Sequence, residues 1–157
     1  MSRARNVNED PNEDPSEDRI LREELTAVAV ASGANRRLYE FMMTKFVGKL
    51  LKKHVQELDL VLPRHFDDAV RHVTDVLEEA GPMTEAAPVA AGGDRRVVRV
   101  VASGGVGAMN PVVVTAVLTR SPGSRTRVGL RAVAMEGPIK QRSAEKAAAR
   151  IAALLNG

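Results

Sequence analysis

The chain has no cysteine and no tryptophan, and only one tyrosine and three phenylalanines among its 157 residues. Without cysteine there are no disulfides, no thiolate metal sites and no cysteine nucleophile. At 3% of the sequence, aromatic residues are too few for a row of base-stacking rings. The core must come from Val, Leu, Ile, Ala and Met. Long apolar runs are missing too. Stretches such as Ala27–Ala31 and Val112–Leu118 fall well short of the roughly 18–20 residues of a membrane-spanning helix. No apolar run follows the first arginines to form a secretory signal. These absences predict a soluble, cytoplasmic protein without a transmembrane segment.

Catalytic signatures are equally scarce. Ser103–Asn110 is glycine-rich and follows a predicted strand, but from Gly105 it reads G-x-G-x-x-N, and Pro111-Val-Val-Val continues as a strand. No helix N-terminus is therefore placed to receive a phosphate. His65 and His72 are seven residues apart and His54 lies elsewhere, so no paired-histidine metal motif exists. Asp67, Asp68, Asp75, Glu78 and Glu79 spread around a helix as a solvated acidic surface. The sequence predicts no catalytic residues, no metal site and no cofactor.

What the chain does have is segregated charge. Residues 95–157 hold eleven Arg and Lys against two Glu, an excess of nine positive charges in a chain whose net charge is +3. Residues 1–18 carry the opposite sign, with NEDP at Asn8–Pro11 repeated at Asn12–Pro15 and then Ser16-Glu17-Asp18. Prolines and like charges at that spacing predict a disordered acidic tail. Such a tail is either solubilising or an arm that folds back on the basic region.

Residues 19–58 read as helical. Leu38, Met42 and Phe46 form one stripe, and Val47, Leu50, Leu51, His54, Val55 and Leu58 form a second at helical spacing. Lys45, Lys49, Lys52 and Lys53 lie opposite the second stripe as a candidate basic helix face. Two stripes facing different ways predict self-association, through Val47–Leu58 or through open sheet edges.

A further helix follows Pro63, with Phe66, Ala69, Val70, Val73, Val76, Leu77 and Ala80 on one face and Gly81-Pro82 closing it. After a small-residue linker at Met83–Gly93, β-branched residues predict strands at about Arg95–Ala102, Val112–Arg120 and Arg125–Met135. Ser121–Ser124, SPGS, is the turn between the last two. The closing helix spans about Ser143–Leu155. The expected fold is thus α+β: a three-stranded antiparallel sheet with helices on one face, ordered α-β-β-β-α over residues 59–157 and preceded by the N-terminal helices.

Arginine is the one candidate for chemistry. Arg127 and Arg131 project from one strand face and Arg99 joins them from another strand. Arg142, Lys146 and Arg150 align at i, i+4, i+8 on the last helix. Guanidinium forks suit phosphates and carboxylates. These six residues are the candidate anion-binding set, and a focused positive field invites an anionic partner.

The α-β-β-β-α order, together with Gly137-Pro-Ile-Lys-Gln-Arg-Ser-Ala-Glu-Lys-Ala-Ala-Ala-Arg-Ile-Ala152, resembles the C-terminal half of a double-stranded RNA-binding domain. That resemblance implies that Gln141, Arg142 and Lys146 grip phosphates at the start of the last helix. The family's histidine-containing loop between its first two strands is replaced here by Ser103–Pro111. The pattern is also similar to small bacterial α+β domains of unknown function. Three functions remain open: a non-enzymatic binding protein for an anionic or protein partner, a nucleic-acid-binding protein, and a pocket at Arg99, Arg127 and Arg131 for a carboxylate or phosphate ligand.

Overall fold

A computed structural model of the chain describes residues 14–41, 51–84, 93–104 and 110–157. The elements run α1 (Pro15–Ala31), β1 (Lys52–Leu62), α2 (Phe66–Ala80), β2 (Arg95–Gly104), β3 (Asn110–Ser121), β4 (Arg125–Glu136) and α3 (Ser143–Asn156); residues 36–41 are also helical. The strands form one antiparallel sheet in the order β1-β4-β3-β2. The α+β class stands, with four strands in place of the expected three.

The fourth strand is β1, which occupies residues expected to be helical. From Gln56 the sequence reads Q-E-L-D-L-V-L, in which Leu58, Leu60 and Leu62 alternate with charged or outward residues. Period two puts all three leucines on the face that packs against the main core. The helical stripe assigned to Val47–Leu58 therefore does not form over its C-terminal part. Lys52 and Lys53 are neighbours on a strand and point to opposite faces, so they make no common basic helix face; Lys45 and Lys49 lie outside the described residues. A boundary at residue 58 would cut β1 in two.

The second difference is at the N-terminus. Pro15–Asp18, expected in a disordered tail, form the first turn of α1. Asp14 caps it, its Oδ1 accepting from the Ser16 amide at 2.9 Å, with Pro15 at a first-turn position where no amide proton is needed. Of the acidic segment, residues 1–13 lie outside the described residues.

The other elements follow their sequence patterns. Phe66, Ala69, Val73 and Leu77 of α2 are buried, as are Ala144, Ala148, Ile151 and Leu155 of α3. Together they cover one face of the sheet, against Val98, Val100, Val112, Val114, Leu118, Val128 and Leu130. The C-terminal end of α2 approaches β2 closely. A Cβ on Gly81 would lie 1.9 Å from the Val101 carbonyl oxygen, so only glycine fits there. In the β3–β4 hairpin Gly123 has φ +74°, a left-handed value suited to glycine. On the opposite face of the sheet, α1 seats Ile20 and Leu21 on Val101, Val113, Val133 and Met135 in a smaller second core. The sheet is thus covered fully on one face and partly on the other.

Candidate functional site: the arginine face of the sheet

Strand registers align the side chains on the α1 face into rows running across all four strands. Val55, Val133, Val113 and Val101 make one row, of which the last three lie under α1 while Val55 at the edge stays exposed. The next is Glu57, Arg131, Thr115 and Arg99. Beyond it come Asp59, Gly129, Val117 and Val97, and then Val61, Arg127, Thr119 and Arg95. The face therefore changes from apolar to charged at the level where α1 begins.

The first turn of α1 meets the charged row with acids. Arg99 is 3% exposed; its Nη2 donates to Asp14 Oδ2 at 2.6 Å, its Nη1 to Ser16 Oγ at 2.6 Å and its Nε to Thr115 Oγ1 at 2.8 Å. Arg131 divides itself. Its Nη1 donates to Glu57 Oε1 at 2.5 Å, while its Nε lies 3.3 Å from both carboxylate oxygens of Glu17. Further along the helix Asp18 pairs with Lys53 at 2.8 Å. Partial burial works against the charge of Asp14, but hydrogen bonds from Ser16 and Arg99 outweigh it and hold the carboxyl at about 2. Glu17, 1% exposed, goes the other way: burial outweighs Arg131 and pushes its pKa up.

Beside this turn, open to solvent over the sheet, lies a cleft of about 410 Å³. Its floor includes Val97, Val117 and Gly129. Arg95, Arg99 and Arg131 line it, as do Asp14, Glu17, Glu57 and Asp59. Arg95 is exposed and takes no ion-pair partner among the described residues; the same holds for Arg127, one row out and beyond the cleft lining.

The six candidate anion-binding residues do not form one cluster. Arg99, Arg127 and Arg131 share the α1 face, as the alternation of β4 predicts. Lys146 and Arg150 belong to α3, which packs on the other side of the sheet, whereas Arg142 is the residue before it, in a left-handed conformation (φ 56°), and so does not continue their helix face. Arg142 forms an ion pair with Glu145. At the start of α3, Glu136 accepts backbone N–H bonds from Gln141 at 3.0 Å, Arg142 at 3.3 Å and Ser143 at 2.6 Å. Burial disfavours its charge, but these bonds outweigh it and lower its pKa. The carboxylate thus fills the helix terminus where an anion would sit.

Several residues of the site were not singled out from sequence. Asp14 and Glu17 lie in the segment expected to be disordered, and Glu57 and Asp59 in one expected to be helical. Their signal was charge complementarity: acids near the N-terminus and arginines spaced by two along β4. Among the described residues no group of three or more His, Asp or Glu is arranged to hold a metal ion, and no helix is long and apolar enough to cross a membrane.

No family model matches the chain, and no curated protein matches it. Among solved structures, the chain is similar to the Mll3558 protein of Rhizobium loti at 12% identity and a TM-score of 0.33, over 67% of this chain and 96% of that one. It is also similar to the Zhui aromatase/cyclase of Streptomyces sp. R1128 at 12% identity and a TM-score of 0.26, over 67% of this chain and 86% of that one. Similarity at this level assigns no ligand and no residue role.

Proposed function

We propose that the protein is a non-enzymatic binding module whose cleft on the arginine face takes an anionic ligand with an apolar body, its charged group a carboxylate or phosphate. One observation carries this reading. A cleft of small-molecule size joins an apolar floor to three arginines, two of which already hold carboxylates, from α1 and from Glu57. Guanidiniums bind carboxylates and phosphates through the same fork. Val97 and Val117 supply area for the body of the ligand. Arg95 is the outer anchor, because its charge has no partner among the described residues. The cleft's other side chains supply ion-pair geometry and apolar contact, which are the requirements of binding.

The probe that matches this chemistry is 8-anilinonaphthalene-1-sulfonate, an aryl anion whose fluorescence reports transfer to an apolar site. The folded protein is expected to bind it saturably at one site, and Arg95→Glu to weaken binding by about tenfold or more, equivalent to about 1.4 kcal/mol. Absence of saturable binding, or binding indifferent to Arg95→Glu, contradicts the proposal.

A second reading, binding of duplex RNA or another polyanion, is supported by the outer face of α3. Lys146 and Arg150 stand exposed there four residues apart, without ion-pair partners among the described residues. On this reading affinity falls steeply with salt, and Lys146→Ala lowers the salt slope by about one. Binding that is insensitive to salt counts against it.

A further inference from the structure

The cleft described above is lined by both the arginines that hold carboxylates and the helix turn that supplies two of those carboxylates. With the first turn of α1 seated, its three arginines face four carboxylates: Asp14, Glu17, Glu57 and Asp59. Without Asp14 and Glu17 the same three arginines face two. The formal charge of the cleft therefore changes sign, from negative to positive, according to whether one helical turn is in place. An anion is repelled in the first state and attracted in the second.

The turn is held to the sheet by polar contacts an anion can replace: Asp14 and Ser16 engage Arg99 at 2.6 Å each, and Arg131 holds Glu17 more loosely. Glu17 shares Arg131 with Glu57, and its contact is the longer of the two, 3.3 Å against 2.5 Å. It is a buried carboxylate without a guanidinium of its own. The apolar anchor of α1 lies further along the helix, at Ile20 and Leu21 on Val101, Val113, Val133 and Met135. Helix ends fray while their interiors hold. Loss of the first turn thus frees Arg99 and Arg131 without stripping the valine row.

We infer that the first turn of α1 is an internal competitor for the cleft: Asp14 and Glu17 occupy the guanidiniums that an anionic ligand takes, so ligand binding and seating of this turn exclude one another. The inference rests on the anion-cleft reading and adds its regulation. It also specifies the ligand, since two arginines set free together on one row favour a dianion over a monoanion.

The test compares the full-length protein with Asp14→Asn/Glu17→Gln, using 8-anilinonaphthalene-1-sulfonate as the probe and phthalate, a dicarboxylate, as its competitor. Asparagine still caps a helix, so the variant retains α1; the single variant Glu17→Gln serves as a second, milder release. The double variant is expected to bind phthalate about tenfold tighter than the unaltered chain. Hydrogen exchange of the unaltered chain supplies an independent readout. Saturating phthalate is expected to speed exchange at the Ser16 and Glu17 amides while Ile20–Ala29 stay protected. Equal affinities in the two proteins, or slower exchange of the first turn with ligand bound, overturn the competitor while leaving the cleft intact as a site. If neither protein binds probe or phthalate, the anion-cleft reading fails and the competitor with it.

Discussion

Arg131 shows how a single residue ties three elements together. It stands on β4, its neighbour Glu57 on β1, and Glu17 reaches it from α1. Removing the guanidinium leaves Glu17 buried with an unpaired charge, so Arg131→Met is expected to cost about 3 kcal/mol in urea unfolding. Adding Glu17→Gln recovers much of that loss, because the uncompensated charge is gone; a double variant no more stable than Arg131→Met contradicts the pairing. Stability against pH separates the acids by sign. Asp14, at about 2, and Glu136, also lowered, contribute stability above their unfolded values that is lost as pH falls through their folded ones. Glu17 is raised, so it contributes below its unfolded value and loses that contribution as pH rises through its folded one. Unfolding between pH 2 and 7 is expected to show net destabilisation toward pH 2, and Glu136→Gln to flatten that slope. An unchanged slope in the variant contradicts the role given to Glu136. At this scale the sequence revealed the arginines but not their partners. The shared face of Arg127 and Arg131 follows from alternation, whereas the approach of residue 17 to residue 131 is a tertiary fact with no local signal.

At the scale of elements, legibility followed the length and purity of the periodic pattern. The stripe of α2 from Phe66 to Ala80 and the alanine-rich face of α3 have strong periods and bounded ends, and both formed as expected. β1 did not, because His54, Val55 and Leu58 fit a helical stripe while Leu58, Leu60 and Leu62 fit a strand, and packing of three leucines against the main core decided between them. The first turn of α1 was masked in sequence by the NEDP repeats, although Asp14-Pro15-Ser16-Glu17 is itself a helix-start pattern. Two substitutions test how the elements join. Leu77→Ala removes a fully buried side chain between α2 and the sheet, with an expected loss of about 2–5 kcal/mol by chemical unfolding. Gly81→Ala drives a methyl group into the Val101 carbonyl and forces α2 and β2 apart, so its melting temperature is expected to fall well below that of the unaltered chain. A neutral Gly81→Ala contradicts the close approach.

For the molecule as a whole, the positive excess along residues 95–157 divides between two sides of one sheet. On the α3 side, Arg142 and the helix terminus are engaged by Glu145 and Glu136. On the α1 side, acids from the other end of the chain meet Arg99 and Arg131 and leave Arg95 and Arg127 at the open end of the face. Net charge and its distribution along the chain were legible in the sequence; which side of a sheet each charge occupies depended on strand register and helix placement. In the proposed function the open part of the arginine face is the ligand seat. Amide chemical shifts recorded while phthalate is titrated into the full-length protein test it most directly. Saturable shifts are predicted at Val97, Thr115, Val117, Gly129 and Arg131, spreading into Ser16 and Glu17, with Lys146 and Arg150 unmoved. Shifts concentrated on the outer face of α3, or none that saturate, contradict the account.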